Sequence, residues 1–198
     1  IAGRYYSDSD HLNIAHAELG AGLKTGFRTR LTAGVDTKHL TARVGSGLEN
    51  NDGSHTADAG KAWVGFRQVV SPCLSAELRA GEGQAEDDHI FVCYAGANLM
   101  PMDNLAFDAH IEHDYLIVSP KTVSLEIERT GGYVEGRWRP DLLYTIVVAG
   151  RADDYTDNNK RLEGVVAPRR AVIRTDCLNA DLGLRALWFD FAHDLDSG

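Results

Sequence analysis

The chain has 198 residues, 43% of them apolar and 25% charged, with a net charge of −9. That balance is ordinary for a folded protein and excludes a disordered chain. The acidic net charge and the lack of a basic cluster argue against a nucleic-acid partner. The length allows one sizeable core or one barrel, and we predict a single β-barrel domain over residues 1–198.

The chain begins at Ile1, which fits either a removed signal peptide or a fragment of a longer protein. No run of 18 apolar residues is present, so no transmembrane helix is predicted. Strands that cross a membrane alternate in polarity and leave no such run. The cysteines Cys73, Cys93 and Cys177 show no CxxC spacing, so we expect three unpaired thiols rather than a zinc or redox site.

Apolar and polar residues alternate along most of the chain, which is the period-two pattern of strands with one apolar and one polar face. In chain order, the clearest predicted strands are GFRTRLTAGVD (26–36), HLTARVGSGL (39–48), CLSAELRAGEG (73–83), NLAFDAHIEHDY (104–115), KTVSLEIER (121–129), YVEGRWRP (133–140) and DLGLRALWF (181–189). In the segment 121–129, Val123, Leu125 and Ile127 share one parity, and Glu126 and Glu128 share the other.

Segments rich in Gly, Pro, Asn and Asp separate these runs at intervals of about 12 to 18 residues. Each interval holds one strand of roughly 9 to 12 residues, which gives about 10 to 12 strands. Strands of this length are typical of barrels rather than sandwiches, and they match the thickness of a bilayer. We predict an all-β fold, an antiparallel up-and-down barrel that spans a membrane. The polar connections ENNDGSH, GQAEDDH and DDYTDNNK are not all placed at one end by the predicted strand boundaries.

Two kinds of barrel fit this pattern. In a soluble lipocalin-like barrel the apolar face points inward around an apolar ligand. In an outer-membrane barrel the apolar face meets lipid and the charged face lines a wet lumen. The strand count above eight, the charges of both signs at mid-strand and the many alanines on the apolar face favour the membrane barrel. Leu78, Phe107, Ile111, Leu125 and Ile127 are then expected to contact lipid.

The polar parity of the strands predicts the residues that line the pore. They are Arg28, Arg30, Arg43, Glu77, Arg79, Asp108, His110, Glu112, Glu126, Glu128, Glu135 and Arg137. The aromatic residues that could form girdles at the membrane interfaces are Trp63, Trp138, Trp188, Tyr94, Tyr133 and Tyr144. Charges of both signs in a narrow pore would hold water and set the preference for solutes.

The candidate catalytic and metal motifs have simpler explanations. His110 and His113 are three residues apart, so on a strand they point to opposite faces and cannot chelate one ion. Glu126 and Glu128 have a spacing near that of glycosidase carboxylates, but a solvated face is by far the commoner explanation of such a pair. The polar turns do not match a calcium loop. We predict no catalytic residues, no metal and no cofactor, with an outer-membrane barrel enzyme as the remaining alternative.

The long alternating strands, the Arg, Glu and Asp lumen candidates, the acidic turns and the closing segment GLRALWFDFAHDLDSG (183–198) resemble bacterial outer-membrane β-barrels. Within that class, the chain is similar to the C-terminal barrel of the tetratricopeptide-repeat porins that export exopolysaccharides. The resemblance implies a non-enzymatic channel in the bacterial outer membrane for a polar solute or polysaccharide. Membrane lipid and periplasmic partner domains would be its partners.

Overall fold

The computed structural model describes residues 1–7, 12–50, 52–86, 88–174 and 179–192. The described residues form twelve strands and one short helix. The elements are β1 (Ala2–Ser7), β2 (Asn13–Lys24), β3 (Thr29–Thr41), β4 (Thr56–Ser71), β5 (Leu74–Ala85), β6 (Asp88–Met102), β7 (Leu105–Tyr115), α1 (Pro120–Ser124), β8 (Glu128–Trp138), β9 (Tyr144–Tyr155), β10 (Lys160–Arg174), β11 (Asn179–Gly183) and β12 (Ala186–Phe191).

The strands form one sheet in which sequence neighbours pair antiparallel, from β1 to β11. The predicted all-β, up-and-down architecture and the predicted number of strands are therefore confirmed. Most central strands are long, and β4 reaches 16 residues. The ladders keep constant register over most of their length, as between Thr29↔Gln68 and Thr41↔Thr56. Because side chains alternate along a strand, constant register carries one face across the whole sheet.

The strands β11 and β12 pair with the same edge of β10 and continue one another. Arg169 pairs with Gly183 and Val166 pairs with Ala186, so the register is the same on both sides of the break. The break lies opposite Pro168, which lacks an N–H group and cannot donate to a ladder. The Pro168 carbonyl still accepts a 3.1 Å bond from the Leu184 N–H. The two strands are therefore one interrupted strand at the sheet edge.

The sheet is open within the described residues, because no described ladder joins β1 to β11 or β12. Consecutive strands reverse direction, so β1 and the combined strand β11–β12 run the same way. Direct pairing of these two edges would be parallel, whereas every described pair is antiparallel. Antiparallel closure would require an odd number of additional strands between the edges.

The connections differ between the two ends of the sheet. At one end, here called the loop end, lie the long connections 42–55 and 116–127 and the shorter connections 86–87 and 156–159. At the opposite turn end the connections 25–28, 72–73, 103–104 and 139–143 hold at most five residues. The three polar connections identified in the sequence therefore lie at one end, which corrects the predicted strand boundaries.

One boundary error concerns the segment 39–48, which was predicted as a strand. The strand β3 ends at Thr41, and a loop with positive φ at Gly45 and Gly47 follows. Leu40 is fully buried on the polar parity of β3, while Val44 in the loop is exposed. Glycines at positive φ cannot continue a pleated strand. The strand therefore ends before Val44, although the alternation of apolar and polar residues in the sequence continues past that point.

The other error concerns the segment 121–129, where a helix replaces the predicted strand. Ser119 caps α1, since its hydroxyl accepts a 3.2 Å bond from the Thr122 N–H, and Pro120 occupies the first turn. These residues favour a helix start. Val123 in α1 and Ile127 in the segment after it are both buried, and the Ile127 N–H donates a 3.3 Å bond back to the Thr122 carbonyl, as at many helix C-termini. The turn ends at Glu126, whose φ is 52°.

A small apolar core forms where α1 packs against the polar-parity face of the sheet near the loop end. Its buried members are Leu40, Ala57, Ala59, Ala85, Ile90, Val92, Tyr115 and Val123. The Lys121 N–H donates a 3.0 Å bond to the Leu48 carbonyl, which ties α1 to the loop 42–55. Outside this region, large apolar residues lie mostly on the other face. No helix in the described ranges is long and apolar enough to cross a membrane.

Candidate functional site on the concave face

The two faces of the sheet differ sharply in chemistry. On one face, Val64, Leu78, Ile111 and Val134 expose 66%, 58%, 65% and 53% of their surface. Residues of the opposite parity on the same strands are mostly charged, polar or glycine. The sequence prediction of one apolar and one charged face is therefore confirmed for these strands.

The charged face is the concave one. The Lys61 ammonium on β4 contacts the Asp114 carboxylate on β7, although two strands lie between them. Neighbouring strands are about 4.8 Å apart, so a flat sheet would separate β4 from β7 by about 14 Å. Two side chains can meet across that distance only where the sheet curls around them. The Arg151 guanidinium on β9 likewise lies 2.8 Å from Glu112 on β7.

The structure places most of the predicted pore residues on this concave face. They are Arg30 on β3, Glu77 and Arg79 on β5, Asp108, His110 and Glu112 on β7, and Glu135 and Arg137 on β8. Their shared face follows from register, since Arg79 pairs with Tyr94, and Asp108 pairs with Glu135. Their role in a pore stays a prediction.

Four predicted pore residues lie outside this face, so their predicted placement on the polar parity of a strand was wrong. Arg28 lies in the turn before β3, and Arg43 lies in the loop after β3. Glu126 lies in the turn after α1. Glu128 is the first residue of β8 and lies on the same face as Thr130, opposite the concave face. Its carboxylate is 3.5 Å from His113. Two predicted lipid contacts also lie near α1 rather than on a strand, and their prediction was wrong. Leu125 lies outside the strands, and Ile127 is buried.

Five side chains on adjacent strands form a row across the concave face, here called the aromatic belt: Trp63, Arg79, Tyr94, His110 and Tyr133. The Arg79 guanidinium carbon lies 4.7 Å from the Trp63 ring centre and 5.0 Å from the Tyr94 ring centre. The His110 ring lies 5.2 Å from the Tyr94 ring and 5.1 Å from the Tyr133 ring. Such distances are typical of cation–π and offset aromatic contacts.

Glycines in the neighbouring positions of the sheet leave space for two rings of the aromatic belt. An added Cβ on Gly34 would lie 2.6 Å from the Trp63 ring, and one on Gly96 would lie 2.5 Å from the Tyr94 hydroxyl oxygen. The two rings therefore lie against the sheet where neighbouring positions have no side chain. All the belt residues are half-buried, so part of each side chain remains accessible from the concave side.

Carboxylates and one amide flank the belt. The Tyr133 hydroxyl donates to Glu135 at 2.7 Å, and Arg137 donates to the same carboxylate at 2.7 Å. The Arg79 Nε donates to Glu77 at 2.6 Å. The Asn98 amide donates to Asp108 at 2.8 Å. The belt therefore combines aromatic surface with hydrogen-bonding groups, which is the usual composition of a small-ligand site.

A second charged cluster lies nearer the loop end. Glu112 accepts hydrogen bonds from Arg129 and Arg151, and the Arg151 Nε donates to Asp153 at 2.7 Å. The Asp153 side chain is fully buried. A buried carboxylate needs such partners because an unpaired charge in the interior is costly. Gly131 makes the space for it, since an added Cβ there would lie 2.0 Å from the Asp153 carboxylate.

Three aromatic residues proposed for the interface girdles face the concave side instead. Trp63, Tyr94 and Tyr133 belong to the belt, so this part of the girdle prediction was wrong. The sequence contained the signal at Tyr133, which shares its parity with Glu135 and Arg137. Trp138, Tyr144 and Trp188 lie on the apolar face. Of these, Trp138 and Tyr144 flank the connection 139–143 at the turn end.

The two histidines of the segment 110–114 lie on opposite faces of β7. His110 lies in the belt, while the His113 Nδ1 is 2.8 Å from the Thr130 hydroxyl on the other face, as the strand periodicity predicted. Within the described ranges, no three His, Cys, Asp or Glu residues cluster closely enough to hold a metal ion. Cys73 and Cys93 are exposed free thiols. Cys177 lies outside the described residues.

Comparison with known proteins gives a structural relationship only. No protein-family model and no curated protein matches the chain. A solved structure of a "Bacterial polysaccharide outer membrane secretin" superposes with a TM-score of 0.74 and 13% sequence identity. The match covers 92% of this chain and 57% of that protein, so the chain spans little more than half of its length. At this identity the likeness establishes a shared fold, and that fold is one found in an outer-membrane protein.

Proposed function

We propose that the chain forms the wall of a polar conduit in a bacterial outer membrane, along which a polysaccharide or another polar solute passes without chemical change. The observation that carries the proposal is the division of the sheet into an exposed apolar face and a charged concave face. On soluble proteins, contiguous exposed apolar surface beyond a few hundred Å² marks a binding interface. Here such residues extend over most strands, which suits contact with lipid.

Burial in lipid would stabilise this face by roughly 25 cal/mol per Å² of apolar surface removed from water. Leu78 and Ile111 would then contact acyl chains, and Trp138 and Tyr144 would lie at one interface. The charged face would remain hydrated around the passing solute. The apolar face would then contact lipid and the charged face would contact water, so that no large apolar surface remains in water.

The loop-end and turn-end asymmetry supports an orientation. Outer-membrane barrels have short periplasmic turns and longer extracellular loops. The connections 42–55 and 116–127 would accordingly lie outside the cell, and the turns 72–73 and 103–104 would face the periplasm. Periplasmic domains that deliver the solute would approach the turn end, as the resemblance to tetratricopeptide-repeat porins implies.

The name of the structurally similar secretin includes both a polysaccharide and the outer membrane, and this supports the proposed location and passenger. The lipocalin-like alternative is disfavoured by the geometry. It needs the apolar parity on the concave side, where this chain instead has Glu77, Arg79, Asp108 and Glu112. We propose no catalytic role for these residues.

Two adjacent valines on β9 test the proposal. By register Val147 faces the concave side and Val148 the apolar side, where it is 52% exposed. In a cysteine-free background, Val147→Cys and Val148→Cys would each be inserted in lipid vesicles and treated with a charged, water-soluble maleimide. We expect rapid labelling at position 147 and protection at position 148. In detergent-free buffer, a monodisperse protein that labels equally at both positions would overturn the membrane assignment.

A further inference from the structure

The charges on the concave face nearly cancel. By register, the cations on this face whose side chains the structure describes are Arg4, Lys24, Arg30, Lys38, Lys61, Arg67, Arg79, Arg129, Arg137, Arg151, Arg161 and Arg169. The acids are Glu18, Asp36, Glu77, Asp88, Asp108, Glu112, Asp114, Glu135, Asp153, Glu163 and Asp181. The first set exceeds the second by one, so the described side chains of this face carry almost no net charge although the chain is acidic overall.

Six of these twelve cations are also paired with an acid of the same face at contact distance. Arg79 bonds to Glu77, Arg137 bonds to Glu135 at 2.7 Å, and Arg161 bonds to Glu163 at 2.5 Å. In each of these pairs, both members lie two residues apart on one strand. A close pair of opposite charges acts at long range only as a dipole, and salt screens what remains beyond about 8 Å. Along the paired part of this face, a charged polymer would therefore meet no sustained attractive field.

The same pairs suit neutral hydroxyl groups. A guanidinium has five N–H donors and a carboxylate has two acceptor oxygens, so Arg137 and Glu135 have more hydrogen-bonding capacity than their mutual bond uses. The aromatic belt lies beside them, with Tyr133 bonded to Glu135. Aromatic side chains offer apolar area with a polar tip. Sugar rings present the matching combination, with C–H groups and hydroxyls on one small ring.

We propose that the belt is a binding site for an uncharged polysaccharide, and that the conduit selects neutral sugar polymers over polyanions and polycations. This inference rests on the proposed function, because it names the passenger of the same concave face. The sugar rings would contact the side chains of Trp63, Tyr94 and Tyr133, and their hydroxyls would bond to Arg137 and Glu135. Weak, distributed contacts of this kind permit binding and release along a path.

The fluorescence emission of Trp63 would measure binding of a sugar at the aromatic belt. It is the one tryptophan of three on the concave face, because Trp138 and Trp188 lie on the apolar face. A variant with Trp138→Phe and Trp188→Phe would report from Trp63 alone. The detergent-solubilised protein would be titrated with a neutral glucose hexamer, an anionic galacturonate hexamer and a cationic glucosamine hexamer, at low and high salt.

We expect the neutral hexamer to change Trp63 emission with a Kd that varies by less than about twofold between the two salt concentrations. Glu135→Gln and Tyr133→Phe should weaken that binding about three- to tenfold, which corresponds to the loss of one hydrogen bond. Tyr144→Phe on the apolar face is the matched control and should leave it unchanged. Retained native mobility on unheated gels would establish that each variant folds.

Two results would overturn the inference. One is salt-sensitive binding of a charged hexamer about tenfold tighter than the neutral one. The other is the absence of binding by all three hexamers in a folded protein. Either result leaves the conduit standing if Val147→Cys labels and Val148→Cys is protected. Equal labelling at those two positions would instead remove the proposed function itself.

Discussion

At the scale of single residues, the contact between Gly131 and the buried Asp153 carboxylate allows a test with a neighbouring control. An added Cβ on Gly131 would lie 2.0 Å from the carboxylate, whereas one on Gly132 would lie 3.8 Å from its nearest atom, on Ile111. Because Arg151 holds Asp153 in place, we expect Gly131→Ala to lower the free energy of unfolding by about 1–3 kcal/mol. Gly132→Ala should change it by less than about 0.5 kcal/mol. Urea unfolding in micelles would measure both, and equal effects would contradict the proposed contact.

Glu49 in the loop 42–55 gives a pH-dependent prediction at the same scale. Its own backbone N–H and those of Gly45, Gly47 and Ser46 bond to its carboxylate and hold its pKa below the ordinary value, although partial desolvation opposes this. A depressed pKa in the folded state means that the interaction is present above the unfolded pKa and is lost as the pH falls through the folded pKa. We expect the amide resonances of Ser46 and Gly47 to titrate with a midpoint below that of an ordinary glutamate. Glu49→Gln should abolish the titration, and a midpoint at the ordinary value would exclude the interaction.

At the scale of elements, the sequence predicted strands well where both faces have a uniform environment. In β7, Phe107 and Ile111 face outward and Asp108 and His110 face the concave side, as the alternation indicated. It failed at 121–129, where α1 ends at Ser124 and a turn with positive φ at Glu126 follows. The decisive signal was local, namely the cap at Ser119 with its following proline. Period-two alternation over a few residues cannot exclude a helix that begins at such a cap.

The small apolar core beneath α1 can be tested by substitution of one of its buried residues. Leu40 is fully buried there, whereas Leu31 on the same strand lies on the apolar face and is 45% exposed. Leu40→Ala removes apolar contacts and leaves a cavity, so we expect it to lower the free energy of unfolding by about 2–4 kcal/mol in micelles. Leu31→Ala is the matched control, and it should have a much smaller effect because detergent replaces the lost contacts. Similar losses for both variants would show that α1 does not seal a core at Leu40.

At the scale of the whole molecule, sequence periodicity predicted two faces but could not predict which face is concave. That property depends on sheet curvature, which appears only when residues such as Lys61 and Asp114 meet across intervening strands. The belt escaped prediction for the same reason, because its members are far apart in sequence and come together through register. The open edges are a further property of the assembled sheet. Their common direction means that β1 and β11–β12 cannot pair with each other in the antiparallel manner of the other strands.

The contact of the apolar face with lipid can be tested at two positions on β7. Ile111 lies in the middle of β7 on the apolar face, and Leu105 begins the same strand on the same face. An arginine on the lipid face costs about 2–4 kcal/mol at the bilayer midplane and about 0–1 kcal/mol near an interface. We therefore expect Ile111→Arg to lower the free energy of unfolding in vesicles by the larger amount and Leu105→Arg by the smaller. Reversible folding into phosphatidylcholine vesicles across a denaturant series would measure both. In a soluble protein with water on this face, both arginines would be tolerated alike, and that outcome would contradict the membrane assignment.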